Sequence, residues 1–384
     1  MTTAVIVDAI RTPSGRGKPG GAFSAIHPVE LLATVLRELV ARSDLDPGLV
    51  DDVICGCVSQ VGMQSQNIAR NAVLAAGFPE TVPATTIDRQ CGSSQQAVAF
   101  AAQGVIADAY DIVIAGGVES MSANPIGAAA GDQDPFGPSI AARYSPGLVM
   151  QGISAELVAA RFSLDRQTLD AYAERSHRLA ASADFKAELI SVGAVDRDET
   201  IRPGTTVHRL AELPPAFEDP RMAERFPDID WRITAGNSSP LTDGASAALI
   251  MSGTRALELG LTPRARLHSF SVVGSDPVEM LTGVIPATRR VLARARLSID
   301  EIDTVEVNEA FASVPLAWQR EFGADPDRLN PRGGAIALGH PLGSSGTRLL
   351  ATMLGTLEQT GGRYGLQTMC EGGGMANALI IERM

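Results

Sequence analysis

Thr85-Thr86-Ile87-Asp88-Arg89-Gln90-Cys91-Gly92-Ser93-Ser94-Gln95-Gln96-Ala97 decides the fold. β-Branched residues run up to Asp88, and small residues suited to a helix run from Gly92 to Ala107. A strand therefore ends and a helix begins within a few residues. This junction places the Cys91 thiol at a helix N-terminus, where backbone N–H groups and the helix dipole favour a thiolate. Gly92 permits a tight turn and the close approach of a substrate. The layout is that of the strand–turn–helix nucleophile elbow of serine hydrolases, with sulfur in place of oxygen. A buried structural cysteine is the other reading of the same residue.

Outward from this junction, strands and helices alternate. Ala4–Val7, Val53–Val58 and Ile112–Ala115 read as strands. Pro28–Ser43 has helical apolar spacing at Leu31, Leu32, Val35, Leu39 and Val40. Strands joined by helices imply a mostly parallel α/β sheet covered on both faces. A later passage repeats the grammar. The helix Ile285–Ala295 and the run Leu297–Asn308 match an earlier helix followed by Leu45–Gly56, which suggests duplicated halves. Between the halves, roughly residues 120–243, the pattern breaks. Residues 123–147 are rich in Gly, Ala, Pro, Asp and Ser, Ser154–Ala180 is helical with Asp165 a cap, and residues 203–230 are irregular. Such an insertion suits a binding surface.

Bulk composition narrows the class. A chain of 384 residues, 45% hydrophobic and 20% charged, is a well-buried globular protein with room for two or three domains. Its net charge of −12 argues against broad contact with nucleic acid or an anionic membrane, although a local basic pocket could still hold a phosphate-bearing ligand. Four cysteines make no disulfide framework. The N-terminal stretch Met1–Asp8 lacks a secretory pattern, and no apolar run is long enough to span a bilayer, so a cytoplasmic location is expected.

Three further segments carry candidate chemistry. Asn330–Gly346 sets His340 among glycines ahead of the helix Ser345–Leu357, a tight corner more typical of a working imidazole than of a core one. Leu366–Met375 ends a strand at Cys370 and follows it with Gly372, Gly373 and Gly374, whose N–H groups could hold an oxyanion; a plain turn between strands fits equally. Val307-Asn308-Glu309-Ala310-Phe311 delivers Asn308, for which a cap on the following helix is the expected role on spacing alone. Two cysteines, a histidine and a glycine turn suit a thiol acyltransferase, in which one thiolate takes the acyl group and a second thiol moves a proton. Cys55 and Cys57 lack partners for a metal site, and Gly15–Lys18 is read as a surface turn rather than a phosphate loop.

These segments resemble the thiolase family along essentially the whole chain. Arg11-Thr12-Pro13, the Cys91 block, Gly116–Ser122, Ala235–Asn237 with Asp243–Ala245, Asn308–Phe311, Gly333–Pro341 and Cys370–Gly374 occur in family order and spacing. The resemblance implies two βαβαβαββ halves in five αβαβα layers: residues 1–119 completed by about 244–268, a loop domain over 120–243, and a C-terminal half over 269–384. It implies that Cys91 carries the acyl group, that His340 activates it, and that Cys370 is the acid/base. Asn308 would hold a water that forms one oxyanion hole with His340; the N–H groups of Cys91 and Gly372 would form the other. Coenzyme A would be a co-substrate, with no permanently bound cofactor and no metal. Its contacts would fall on Arg202, Phe217, Ala235, Ser239 and Phe311. A homodimer or homotetramer is implied too.

Departures from the family pattern bear on the substrate. Glu212 and Pro214 stand where basic residues are common, Met150-Gln151 replaces a His-Met pair of acetoacetyl-specific members, and Glu371 follows the second cysteine in place of an apolar residue. With Gln90–Gln96, these features resemble actinobacterial degradative thiolases, including those of steroid-ring catabolism. Cleavage of a 3-ketoacyl-CoA other than acetoacetyl-CoA is therefore expected. An acetoacetyl-CoA-forming thiolase, a condensing enzyme of ketoacyl-synthase type and a non-catalytic acyl-CoA-binding relative are the alternatives. If Glu371 points inward, it raises the pKa of Cys370 by like-charge repulsion.

Overall fold

Each half of the chain closes on an antiparallel strand pair. The computed structural model describes residues 2–384. The first half runs β1 (Ala4–Arg11), β2 (Gly15–Arg16), α1 (Pro28–Arg42), β3 (Asp52–Gly56), α2 (Ile68–Ala75), β4 (Ala84–Ile87), α3 (Ser93–Ile106) and β5 (Ile112–Ser120). The insertion then contributes α4 (Gly137–Arg143), α5 (Gln151–Arg161), α6 (Arg166–Ser182), α7 (Val207–Ala211) and α8 (Pro220–Arg225). The chain returns through β6 (Thr242–Ser252) and α9 (Gly253–Glu258). The second half runs β7 (Ala265–Gly274), α10 (Val284–Ala295), β8 (Thr304–Val307), α11 (Ser313–Phe322), α12 (Ala335–Leu338), α13 (Ser345–Thr360), β9 (Tyr364–Glu371) and β10 (Met375–Arg383).

The strands lie in the order β4-β3-β5-β6-β1-β7-β10-β9-β8, and β2 pairs with β6. The order mirrors itself about the β1–β7 seam. β1, β6, β5 and β3 on one side correspond to β7, β10, β9 and β8 on the other. Where β4 follows β3, a parallel bridge of Leu329 to Val305 follows β8. The expected duplication is present. The seam is narrow: Val5 faces Arg266 and Ile6 faces Ala265. In the first half, β5 and β6 flank the whole insertion; in the second, β9 and β10 flank three glycines.

Most buried apolar side chains sort into three layers of packing, and a small fourth cluster joins Ala180 and Phe185 to Ala337 and Leu338. Leu31, Leu36 and Leu39 of α1, with Ile68 and Val73 of α2, cover one face of the first half against Val53 and Leu249. Ala97, Ala101 and Val105 of α3 and Leu350 and Leu354 of α13 fill the middle, touching strands of both halves. Val284 and Val291 of α10 and Trp318 of α11 cover the second half against Val305 and Ile380. The result is helix, sheet, helix, sheet, helix, the five layers expected. Burial of each large aliphatic side chain contributes about 1.5–3 kcal/mol. The small residues have a use in the middle layer. A Cβ on Gly346 would lie 2.1 Å from Gln95 N, so α13 touches α3 backbone to backbone.

Some expected elements differ in detail. The helical stretch over Ser154–Ala180 is two helices, because α5 ends at Arg161 and Asp165 starts α6 afresh by accepting from Thr168 N at 2.7 Å. The irregular 203–230 segment contains α7 and α8, capped by Thr206 and Asp219. Gly15-Arg16 is not a bare turn: it adds a short strand to β6.

The insertion is tied down at the end of β1. Arg11 is fully buried; its Nε donates to Glu188 at 2.5 Å, and its Nη1 and Nη2 to Asp198 at 2.7 and 3.0 Å. Its pKa is raised: the two carboxylates more than offset the burial that works against the charge.

Candidate active site

Strand ends and helix starts from both halves supply two buried groups, the thiols Cys91 and Cys370 and the pair His340 and Asn308. Cys91 sits between β4 and α3, as its sequence suggests, after Gln90 in the left-handed region (φ 48°). Gly92 N and Ser93 N donate back to Arg89 O and Gln90 O, each at 3.1 Å, which closes the turn beneath the thiol. Cys370 lies at the end of β9 with no exposed surface, and the two thiols are near enough for the charge of Cys91 to act on Cys370. Gly372 begins the turn between β9 and β10. Its α-carbon faces Gln90 and Gln151, at 3.1 Å and 3.5 Å from where a Cβ would stand.

His340 is held from three sides. Its backbone N–H donates to Thr242 Oγ1 at 3.0 Å, Nδ1 lies 2.6 Å from Ser345 Oγ, and Nε2 lies 3.2 Å from Asn308 Nδ2. Ser345 Oγ donates to Pro341 O at 2.9 Å. In that network the serine oxygen accepts from Nδ1–H, which leaves the Nε2 lone pair facing the Asn308 amide. Gly339 has φ 81°, and a Cβ there would collide with Thr242 at 2.5 Å, so the tight corner inferred from the sequence is real. Burial, and then the charge of Arg348, lower the His340 pKa to about 3, so the ring is neutral.

Asn308 does not cap the following helix. That helix begins at Ser313 with Ala312 as its N-cap residue, whereas the Asn308 amide turns to His340. Its Oδ1 is buried without a hydrogen-bond partner, a polar atom aimed at whatever enters the site. The neighbouring Glu309 holds the far wall. It accepts from Tyr172 OH at 3.0 Å, Ser176 Oγ at 2.7 Å, Asn330 Nδ2 at 2.8 Å and Ile336 N at 3.1 Å. Glu119 does the same for the loop after His340, accepting from Gly343 N, Val58 N and Gln64 Nε2, each at 2.9 Å.

The thiols differ from the expectation drawn from the helix start. Burial pushes Cys91 up to about 12; Gln151 and a backbone N–H oppose the rise, while Glu371 and Glu119 add to it. Burial also pushes Cys370 well up, helped by Cys91 and Glu371. Loss of water outweighs the helix dipole here because the sulfur is shut in on all sides. Glu371 does point inward and is fully buried.

Four of the five residues expected to contact coenzyme A line one surface. Phe217 stacks edge-on to Phe311, with centroids 5.9 Å apart, and presses on Gly152 at the start of α5. Ser239 N donates to Ala310 O at 3.0 Å and Ser238 bridges to Phe311, which lays the 235–239 segment along the Phe311 wall; Ala235 is exposed there. Arg202 is exposed, and its backbone N–H donates to His177 Nδ1 at 3.2 Å, with no side-chain contact to this wall. Glu212 is exposed beside His208. Sequence reasoning took Met150-Gln151 only as a departure from a pattern and missed that Gln151 acts on Cys91. It also passed over Ser345, whose only signal was its place five residues after His340. Among the described residues, no three His, Cys, Asp or Glu side chains gather as metal ligands, and no helix is long and apolar enough to cross a membrane.

Comparison with known proteins shows which family the sequence is similar to along its length. Residues 4–254 fit the family model described as Thiolase, N-terminal domain, and residues 261–383 the one described as Thiolase, C-terminal domain. The chain is 48% identical to the steroid 3-ketoacyl-CoA thiolase FadA6 of Mycobacterium tuberculosis, over all of this chain and 95% of that protein. It is 43% identical to the 3-ketoacyl-CoA thiolase FadA of Escherichia coli K12 and to the 3-ketoacyl-CoA thiolase of Erwinia tasmaniensis, over the full length of each. With both domains matched over nearly the whole chain and full-length relatives at 43–48% identity, the chain belongs to the thiolase family of acyltransferases.

Proposed function

We propose that the enzyme cleaves a 3-ketoacyl-CoA with free coenzyme A, giving acetyl-CoA or propionyl-CoA and a shortened acyl-CoA, in the degradative direction. The observations that support the proposal are a buried pair of thiols, Cys91 and Cys370, close enough to influence each other, and a buried His340–Asn308 contact at 3.2 Å, supplied by both halves of the chain. Cys91 attacks the 3-keto carbon and its proton passes to His340. Because the thiol is held high and the imidazole low, no ion pair is stored in advance; the proton moves as sulfur bonds to carbon. Asn308, through a water on Oδ1, and His340 steady one oxygen; the N–H groups of Cys91 and Gly372 steady the other. The carbon–carbon bond breaks, Cys370 protonates the departing enolate, and acyl-Cys91 passes to the incoming thiol of coenzyme A. Coenzyme A is a co-substrate, and no permanently held group takes part.

Pantetheine lies along Phe217, Ala235, Ser239 and Phe311, and Arg202 reaches the adenine end. The acyl group is lipid- or steroid-derived, a proposal supported by the names of the relatives and by Met150-Gln151 in place of His-Met. We assign residues 1–119, completed by about 244–268, and the C-terminal half from 269 to the two halves, with 120–243 as the loop domain. The insertion between β5 and β6 supports this division. The chain works as a homodimer or homotetramer in the cytoplasm. In support of assembly, β4 ends the sheet, and Met63, Leu74, Phe100 and Ile106 in the first half are exposed apolar residues.

A panel of 3-ketoacyl-CoAs assayed for CoA-dependent loss of the 3-keto thioester tests the activity and ranks the substrates. The acyl group should be found on the Cys91 peptide by mass spectrometry after quenching. Full thiolysis by Cys91→Ala would end the proposal.

A further inference from the structure

Glu371 ends β9, between Cys370 and Gly372, and is fully buried. Neither carboxyl oxygen has a hydrogen-bond partner. Oε1 lies 2.1 Å from where a Cβ on Gly92 would stand, so the carboxyl fills the notch that this glycine leaves beside the nucleophile. Asn377 completes the filling: its Nδ2 is 2.7 Å from the same point and donates to Gly92 O at 3.0 Å.

The segment from β4 to α3 brings Asp88, Arg89 and Cys91 toward this carboxyl; β9 itself brings Cys370; β10 brings Met375 and Asn377, which carry no charge. Arg89 does not close an ion pair with Glu371. One of its N–H groups goes to Met375 Sδ at 3.7 Å, and its Nε is buried without a partner. A carboxylate buried with neither hydrogen bonds nor a contacting cation is costly, whereas the protonated acid is tolerated. Burial accordingly raises its pKa to about 8, with Arg89 pulling the other way.

We propose that Glu371 is a positioning residue that occupies the Gly92 notch as a neutral acid, and that its ionisation withdraws Cys91 and Cys370 from thiolate formation. The proposal rests on the thiolase reading only in taking these two thiols as the reacting ones. Its chemistry is a single proton loss to solvent. The resulting negative charge stays on the carboxylate and acts through space on two sulfurs, Cys91 and Cys370, that both already feel this group.

The test uses the full-length protein without substrate. Iodoacetamide alkylation of Cys91, located by peptide mass spectrometry, is timed from about pH 6 to about pH 9.5. In the wild type, log rate should climb with unit slope at the acid end and flatten across the window around the Glu371 transition. In Glu371→Gln, which cannot ionise, the ratio of variant to wild-type rate should rise about three- to tenfold from about pH 6.5 to about pH 9, the effect of one nearby charge at an effective dielectric of about 20. A ratio that is constant with pH, or unit slope throughout in the wild type, overturns the proposal. The wild-type slope needs no variant to fold. Failure to trap an acyl group on Cys91 would instead remove the thiolysis reading, so the two failures are distinct.

Discussion

Cys91 and His340 show how far single residues explain the site. Cys91→Ala removes the proposed nucleophile and should lower thiolysis by about 10⁴-fold or more with unchanged circular dichroism. Asn308→Ala removes the amide facing Nε2 and should lower kcat by about 10²–10³-fold with little change in KM, as for loss of one oxyanion donor. His340 also carries a stability prediction. Its folded pKa of about 3 lies below the ordinary value of 6.5, so below pH 6.5 the unfolded chain takes up a proton that the folded chain refuses. Stability is therefore fully present above 6.5 and falls as pH drops toward 3. Urea melts near pH 7.5 and pH 5 should show a larger loss for wild type than for His340→Asn. The identity and order of these residues are legible in the sequence, since each sits in a short motif at a strand or helix end. Their protonation is not. The thiol's position at a helix start points to a low pKa, but the burial that reverses it comes from chain segments far away in sequence. Asn308 was readable as a cap for the same reason: its true partner is 32 residues on.

At the scale of elements, close approach of backbones sets the site. A Cβ on Gly343 would lie 2.6 Å from Val118 O and 2.7 Å from Cys57 Cα, all within backbone that cannot swing aside. Gly343→Ala should therefore lower the melting temperature clearly, with a cost of about 1–3 kcal/mol, and reduce kcat by shifting the His340 loop. Gly274→Ala, where nothing lies within 4 Å of the added carbon, should stay within about 0.5 kcal/mol of wild type. The strands and long helices are legible because their apolar periods are local. Two features are not. The break in the 151–182 helix follows from Phe162–Asp165 turning the chain, and β2 exists only because β6 offers it an edge.

Over the whole molecule, the Arg11 clamp joins the insertion to the first half. Arg11→Met leaves Asp198 buried without its cation and Glu188 with only Arg332, 3.9 Å away, and should cost about 3–5 kcal/mol. Limited proteolysis should then cut within residues 180–200 faster than in wild type, while Arg16→Met, whose side chain is 47% exposed, should change the rate little. The overall plan was partly legible: alternating strands and helices and the weak repeat gave the two halves, but only the assembled sheet shows how they meet. That seam has a historical consequence. A sheet whose order reverses about two central strands joined by only a short pairing is what results when two copies of one half-length protein pair edge to edge and are later joined into a single chain. Since the joining, the twins have specialised. One let the turn between its last two strands grow into the long insertion between β5 and β6 and carries Cys91. The other kept that turn as three glycines and carries Cys370.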